Sequence, residues 1–413
     1  MRRSASTALL LLLLCSCGSS GGAAGNGAAA GGTSAGGKPF QVAQIDDFDE
    51  PWAMVFLPDG RALVTEKKGA VKLWQAGKPQ VDVHGAPKVA YGGQGGLLDI
   101  ALAPDFATSH AVYLSYSEPR PRGSALALAR AILNLDSGAP RLDSMQVLWR
   151  AGADGEGGQF GAVIAFAPDG RSLFLSSGER QRFTPAQDPN QALGKILHLT
   201  LDGKPSPDNP HAGQTGSATI LVTDPPANTE KARTAKGRQM TVDGPNLVPA
   251  ETWTSGHRNP YGLAFAPDGR LWETEMGPKG GDELNLIEKG RNYGYPIVSN
   301  GDNYDGTPIP DHPTHPEFQA PVLFWNPSIS PAGLMFYDGK LWPRWKGSAF
   351  MGAMSGEALL RIEIGGATAR KADQWRMGKR IRDVVEGPDG AIYLLEDGEK
   401  GSGGHLLKLT PPR

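Results

Sequence analysis

The chain has little cysteine, no surplus of charge of either sign, and no apolar run long enough to cross a bilayer. Its only two cysteines, Cys15 and Cys17, lie close together near the start of a 413-residue sequence. A disulfide framework is therefore not expected, and the fold must be held by its core or by bound ions. Lysine and arginine (41) almost balance aspartate and glutamate (43), giving a formal charge of -2 with the signs interspersed. Such a chain offers no basic field to nucleic acid. Long runs at helical period are also lacking, which counts against a doubly wound α/β fold.

The first residues read as an address. Two arginines precede the apolar run Ala8 to Leu14 in MRRSASTALLLLLLCSCGSS, the layout of a secretory signal. Leu14-Cys15-Ser16-Cys17 resembles the lipobox of bacterial lipoproteins, with Cys17 as the lipidated first residue. Cys15 is a less regular alternative, and plain export with cleavage further along is the bland one. The expected location is the periplasm or the outer cell surface, with the membrane reached only through a lipid anchor. Residues 18–37 are nearly all Gly, Ala and Ser and read as a tether without surface to bury.

From residue 38 a phrase recurs. FLPDGRALVTEK, FAPDGRSLFLSSGE and FAPDGRLWETEMG share one pattern, and EGPDGAIYLLED and LAPDFATSHAVYLSYS follow it loosely. Proline presets φ for a turn, glycine accepts positive φ, and an alternating strand follows, so each copy is a hairpin. GLMFYDGKLWPRWKGSAFMGAM supplies a sixth, with Asp338-Gly339 at its turn. Six copies, with room for about four strands each, predict an all-β chain over 38–413: a six-bladed β-propeller with four-stranded blades.

Residues 204–250, rich in Pro, Thr, Asn and Lys, read as a long surface insertion. In the proline-rich loop DHPTHPEFQAP, His312 and His315 are read as solvated, because no third metal ligand of matching spacing is near. NGDNYDG fails the spacing of an EF-hand loop. Trp342 and Trp345 are read as blade packing before sugar stacking.

Five polar stretches interrupt the scaffold: GGQGGLLDI, GGQFG, SGHRNPYG, EMGPKGGDELN and KRIRD. Each lies at the edge of a hairpin, so equivalent positions of several blades can meet on one face. Arg258, Arg380 and Arg382 offer planar bidentate donors, and Gln94 and Asn259 add neutral ones, a set suited to a small polycarboxylate. The bland alternative pairs Arg380 and Arg382 with Asp383 and Glu386. In EMGPKGGDELN, carbonyls at Gly277 and Pro278 with carboxylates at Asp282 and Glu283 suit a hard cation, calcium before magnesium. A plain glycine-rich turn is the competing reading.

Together, GGQGGLLDIALAPDF, GHRNPYG, MGPKGGDELNLIEKGRNYGYP and RIRDVVEGPDG resemble the soluble PQQ-dependent glucose/aldose sugar dehydrogenases, also called glucose/sorbosone dehydrogenases, from about Pro51 to Lys408. The resemblance implies a six-bladed propeller in which Gln94, Arg258, Asn259, Arg380 and Arg382 contact pyrroloquinoline quinone (PQQ). It implies a calcium held by the main chain of Gly277 and Pro278, with Glu283 and Tyr293 at a further calcium position. It implies oxidation of an aldose sugar to a lactone, with electrons passed to an external acceptor, by a monomer or homodimer. Arg258 would help to stabilise the developing oxyanion.

The chain departs from the pattern at a central point. Where relatives read His-Phe-Gly-Gly-Arg, this sequence has Gln159-Phe160-Gly161-Ala162-Val163, and a glutamine amide cannot take a proton near neutral pH. A cofactor-contacting lysine of the family falls on Ser355. His257, Asp154 and Glu156 are the substitute bases nearest in sequence, and Gln159 is otherwise left to orient a water or hydroxyl. Two other classes stay open: a propeller that binds PQQ or sugar without efficient turnover, and a lactonase-like metal-dependent hydrolase.

Overall fold

The computed structural model describes residues 37–136, 138–223, 237–242, 244–401 and 403–412. The expected export signal ending at Cys17, and all of the expected 18–37 tether except Gly37, lie outside them. Strands arrange as six four-stranded antiparallel sheets, each a blade of a propeller. The inner strands are Pro51–Phe56, Leu97–Leu102, Gly161–Phe166, Pro260–Phe265, Pro331–Phe336 and Ile381–Glu386. We number the blades 1 to 6 in that order. Blade 6 is closed by the first strand of the fold, Gln41–Asp47, which pairs with His405–Thr410 and makes the ring continuous, removing two open sheet edges at once.

The repeated phrase forms the predicted turn. In four copies the residue before proline accepts from the glycine amide, as in Gly60 N to Leu57 O (3.0 Å) and Gly170 N to Ala167 O (2.8 Å). The turn aspartate takes the amide two residues on, as in Arg61 N to Asp59 Oδ1 (3.0 Å) and Arg171 N to Asp169 Oδ1 (3.0 Å). Gly60, Gly170, Gly269 and Gly390 all sit at positive φ, which a side chain would strain. The blade 5 copy differs: its strands end at Phe336 and resume at Ala349, so Asp338-Gly339 opens a longer loop rather than a tight turn. The reason is packing. Trp342 and Trp345 stack at 4.8 Å inside that loop, and Trp345 joins the blade 5–6 core, so both tryptophans serve the blade.

Antiparallel hairpins place the site. With the turns at one end, the start of each inner strand lies beside the end of the second strand at the other, as in the pairs Gly161–Ser177, Pro260–Glu275 and Ile381–Glu396. In all six blades a bulge interrupts the register near that end, where it bends the strand locally. The predicted polar stretches therefore share one face.

The 204–250 insertion enters blade 3 between its third strand, Lys195–Thr200, and its fourth, Thr252–Ser255. Its described part includes an antiparallel ribbon, Thr219–Thr223 against Gly237–Thr241. The ribbon is docked: Ile220, Val222 and Met240 form an apolar cluster with Ala153 and Leu193. On the axis, Asp99 accepts from Ile164 N (2.7 Å) and Asp383 from Met54 N (3.0 Å), tying blade 2 to 3 and blade 6 to 1.

Candidate functional site

The expected residues form one connected network. Arg258, just ahead of the blade 4 inner strand, donates through Nη1 to Met276 O (2.9 Å) and Gly277 O (2.7 Å). Its Nη2 donates to the side-chain oxygen of Gln159 (2.8 Å), whose amide nitrogen donates to Glu179. The Gln159 backbone N–H donates to Gln94 Oε1 (2.7 Å), and Tyr261 Oη donates to the same oxygen (3.2 Å). The Arg382 guanidinium lies 5.8 Å above the Tyr261 ring and pairs with Asp397, as does Arg380 (2.8 Å). Asn259 joins through Gly161 N (3.3 Å). Residues from blades 2, 3, 4 and 6 thus meet.

The partner of the two blade 6 arginines is Asp397, at the end of the second strand, and not Asp383 or Glu386. Burial opposes ionisation there, but Arg382 and Arg380 hold the Asp397 carboxyl below its ordinary range. Two guanidinium charges thus share one carboxylate, which leaves the local charge positive and suits further anionic groups.

The Gly277 bend crowds backbone oxygens together, and the Gly277 carbonyl itself accepts from Arg258 Nη1 (2.7 Å). A Cβ on Gly277 would collide with the carbonyl oxygens of Gly280 and Gly281, so glycine is required where those two carbonyls crowd. Pro278 follows, buried. Glu283, Tyr293 and Gly277 line one small cavity with Arg258 and Glu275. Asp282 faces away from that cavity's chemistry and braces the loop, its carboxylate accepting from Gly277 N (2.9 Å), Ile329 N (2.6 Å) and Ser330 N (2.7 Å).

Gln159 is buried and locked between Glu179 and Arg258. Around it the backbone is unusual: Gln159, Ala162, Arg180, Gln181 and Phe183 all have positive φ, the kind of strain that clusters at functional sites. Glu179 holds the second of these loops by accepting from the amides of Gln181 (2.9 Å), Arg182 and Phe183. Arg180 is buried against Phe160, 3.8 Å from the ring centroid, and donates to the carbonyls of Gly155 (3.1 Å), Gly157 (2.8 Å) and Gly158 (3.0 Å). Burial, then the neighbouring Arg182, brings its pKa down to about 9.

Of the three substitute bases, His257 is fixed between Thr254 Oγ1 (2.9 Å) and Glu275 Oε1 (3.1 Å) and stacked on Tyr293. Asp154 is paired with Arg122 (3.1 Å) and Arg238 (3.6 Å), the latter from the inserted ribbon. Glu156 is exposed and lines an open cleft with Gln94, Gly158, Phe160 and Gln181. Val163 faces the axial cavity, and Ser355 is exposed, 2.8 Å from Ser330 Oγ. His312 corrects an expectation: it is buried, with Nε2 3.5 Å from Glu283 Oε1, because the proline-rich loop folds inward there. His315 stays near the surface beside Glu317.

Sequence reasoning missed Lys67, Glu179, Arg180, Glu275 and Asp397. All stand at or just past the end of a blade's second strand, and the acids recurring in TEK, SGE, TEM and LED at the close of the repeats were the available signal. Lys67 is buried and donates to Gly93 O (3.1 Å) and to Glu399. Burial, then the nearby Arg382, lowers its pKa.

Fold and site define a six-bladed propeller with a cation-lined cleft at the bulged end of its inner strands. The glucose/sorbosone dehydrogenase family model matches residues 48–223 and 235–408, and the chain belongs to that family. It is 35% identical over 375 residues to aldose sugar dehydrogenase YliI of Escherichia coli (strain K12), covering 89% of this chain and 91% of that protein. The crystal structure of the soluble aldose sugar dehydrogenase from Escherichia coli in the apo-form superposes with a TM-score of 0.76 at 34% identity, covering 90% of this chain and all (100%) of that one. The PQQ-bound form of aldose sugar dehydrogenase from Streptomyces coelicolor superposes with a TM-score of 0.69 at 26% identity, covering 90% and 98%.

Proposed function

We propose that this protein is an exported aldose sugar dehydrogenase that uses PQQ and calcium. The observation that carries the reading is the unbroken chain of contacts from Arg258 through Gln159, Gln94 and Tyr261 to Arg382 and Asp397. In this reading Arg258, Arg380 and Arg382 receive the carboxylates of the cofactor, with Gln94 and Asn259 as neutral donors. The carbonyls of Gly277 and Pro278 hold calcium, and Glu283 and Tyr293 belong to a further calcium position. PQQ, when bound, supplies the two-electron acceptor for the hydride that leaves the anomeric carbon.

This chain's own residues handle the proton. Gln159 orients, since its amide is held from both sides and cannot act as a base. Glu156, open to the cleft beside Gln94, takes the proton of the anomeric hydroxyl, and the sugar leaves as a lactone. Arg258 stabilises negative charge developing on the sugar oxygen. Electrons pass on to an external acceptor, and Cys17 tethers the protein to a membrane. Addition of PQQ and Ca²⁺ to purified apo protein should give bound-quinone absorbance and glucose-dependent dye reduction. Quinone binding without dye reduction selects a binding protein, a reading favoured by the locked Gln159. Failure of both rejects the dehydrogenase. A lactonase-like site has less support, because the axial carboxylates Asp99 and Asp383 are engaged by backbone amides.

A further inference from the structure

Trp342 and Trp345, the aromatics weighed for sugar stacking, are committed to their blade. We propose that Tyr91 fills that role: its ring is the platform on which one C–H face of an aldopyranose stacks in the open cleft beside Glu156, which makes Tyr91 a specificity-determining residue. The assignment rests on the sugar-oxidising reading of that cleft and supplies it with an apolar contact for the substrate.

Tyr91 stands three residues before Gln94 and lines the same cleft as Gln94, Ser124, Glu156, Phe160 and Gln181. Of the exposed aromatic rings Tyr91, Tyr304 and Phe324 among the described residues, it is the one found in this cleft, and it is 49% exposed. Phe160 is unsuited to the task, being buried with Arg180 against its ring at 3.8 Å from the centroid. Although open to water, the Tyr91 ring is pinned. Its hydroxyl lies 2.9 Å from both Oε1 and Oε2 of Glu50 and donates to that carboxylate. The same hydrogen bond raises the phenol above its ordinary pKa, so the donor stays protonated. Glu50 is itself held, with Lys68 Nζ 3.7 Å and Lys67 Nζ 3.8 Å away. It sits at a φ of 53°, a backbone state that costs energy in a non-glycine residue. The chain on either side of the ring is tied as well, Ala90 N donating to Ser117 O (2.8 Å) and Gly95 N to Gly92 O (2.9 Å).

A side chain ordered before the ligand arrives adds its contact without a further entropic cost. A pyranose carries hydroxyls around its rim and C–H groups on its faces. It therefore suits an apolar ring face set among Gln94, Ser124, Glu156 and Gln181, whose polar atoms meet the rim. Glu50 grips the ring by its hydroxyl, which leaves the faces available. A sugar with an axial hydroxyl on the stacked face stands off from the ring and is disfavoured against one whose hydroxyls are all equatorial.

The test uses the full chain with Ca²⁺, before and after addition of PQQ. Saturation-transfer NMR with glucose should show the strongest transfer at the sugar's ring C–H protons, and Tyr91→Ala should reduce it at least about threefold. In the quinone-loaded protein Tyr91→Ala should raise KM about tenfold with kcat unchanged. Tyr91→Phe, which keeps the ring and loses the Glu50 tie, should raise KM about threefold. Quinone affinity should be the same in all three proteins. Undiminished transfer in Tyr91→Ala, or a wild-type KM, overturns the proposal. Loss of quinone affinity with the sugar KM unmoved overturns it too, since the ring would then lie on the cofactor. Sugar transfer that depends on Tyr91 in a protein that binds no quinone supports the platform and rejects the dehydrogenase reading alone.

Discussion

Blades 3 and 4 build adjoining walls of one cleft, and they do it differently. In blade 4 the loops are fixed by carboxylates with assigned partners: Glu275 takes the Arg258 amide, and Asp282 ties Gly277 to Ile329 and Ser330. This wall keeps the family phrase from His257 to Pro260 intact. In blade 3 the corresponding loops carry five non-glycine residues at positive φ, hold Gln159 between Glu179 and Arg258, and lie against an inserted ribbon that reaches Asp154. One wall is braced by carboxylates on fixed amides, and the other by a strained backbone around a locked amide side chain.

Breaking blade 4 should have the largest effect. Arg258→Ala should weaken PQQ binding at least about thirtyfold, since removing one partner of a buried charge-assisted contact costs on the order of 2–5 kcal/mol; a spectroscopic titration reads it. A wild-type-like affinity would mean that the cofactor is held elsewhere. On blade 3, Glu156→Gln should lower turnover by about 10²- to 10⁴-fold with quinone binding unchanged, the signature of a lost general base. Equal turnover would remove Glu156 from the mechanism. Gln159→His should raise turnover about tenfold or more, part of what a positioned base supplies, because Glu179 stands ready to orient the imidazole.

The smallest effect concerns the seam between blades 2 and 3. Burial raises Asp99 to about 7, so it stays protonated in the fold at a pH where the unfolded chain has ionised. Its contribution to stability is complete below the ordinary carboxylate range, near pH 4, and is lost as pH rises through about 7. Asp99→Asn should therefore flatten the fall of melting temperature across that window. An unchanged slope would assign the effect to Asp383, which burial raises to about 6.

The propeller was legible because its turn chemistry is local: Pro-Asp-Gly dictates a hairpin wherever it occurs, and six hairpins leave few alternatives. The blade 5 loop escaped because stacking of Trp342 on Trp345 is a packing event that no turn rule encodes. Arg258, Gln94 and Arg382 were legible as types of donor at equivalent strand edges. Asp397 and Glu179 were not, since each acts across a sheet on a residue distant in sequence. His312 was misjudged for the same reason: it sits in a short turn of the proline-rich loop, and its neighbour Glu283 lies on a strand well apart in the chain.

Titration of the apo protein with PQQ in the presence of Ca²⁺, followed by addition of glucose and an artificial acceptor, tests the central claim most directly. Saturable quinone binding is expected, weakened at least about thirtyfold in Arg258→Ala, with sugar-dependent reduction lowered about 10²- to 10⁴-fold in Glu156→Gln. Wild-type protein that binds no quinone under these conditions would contradict it.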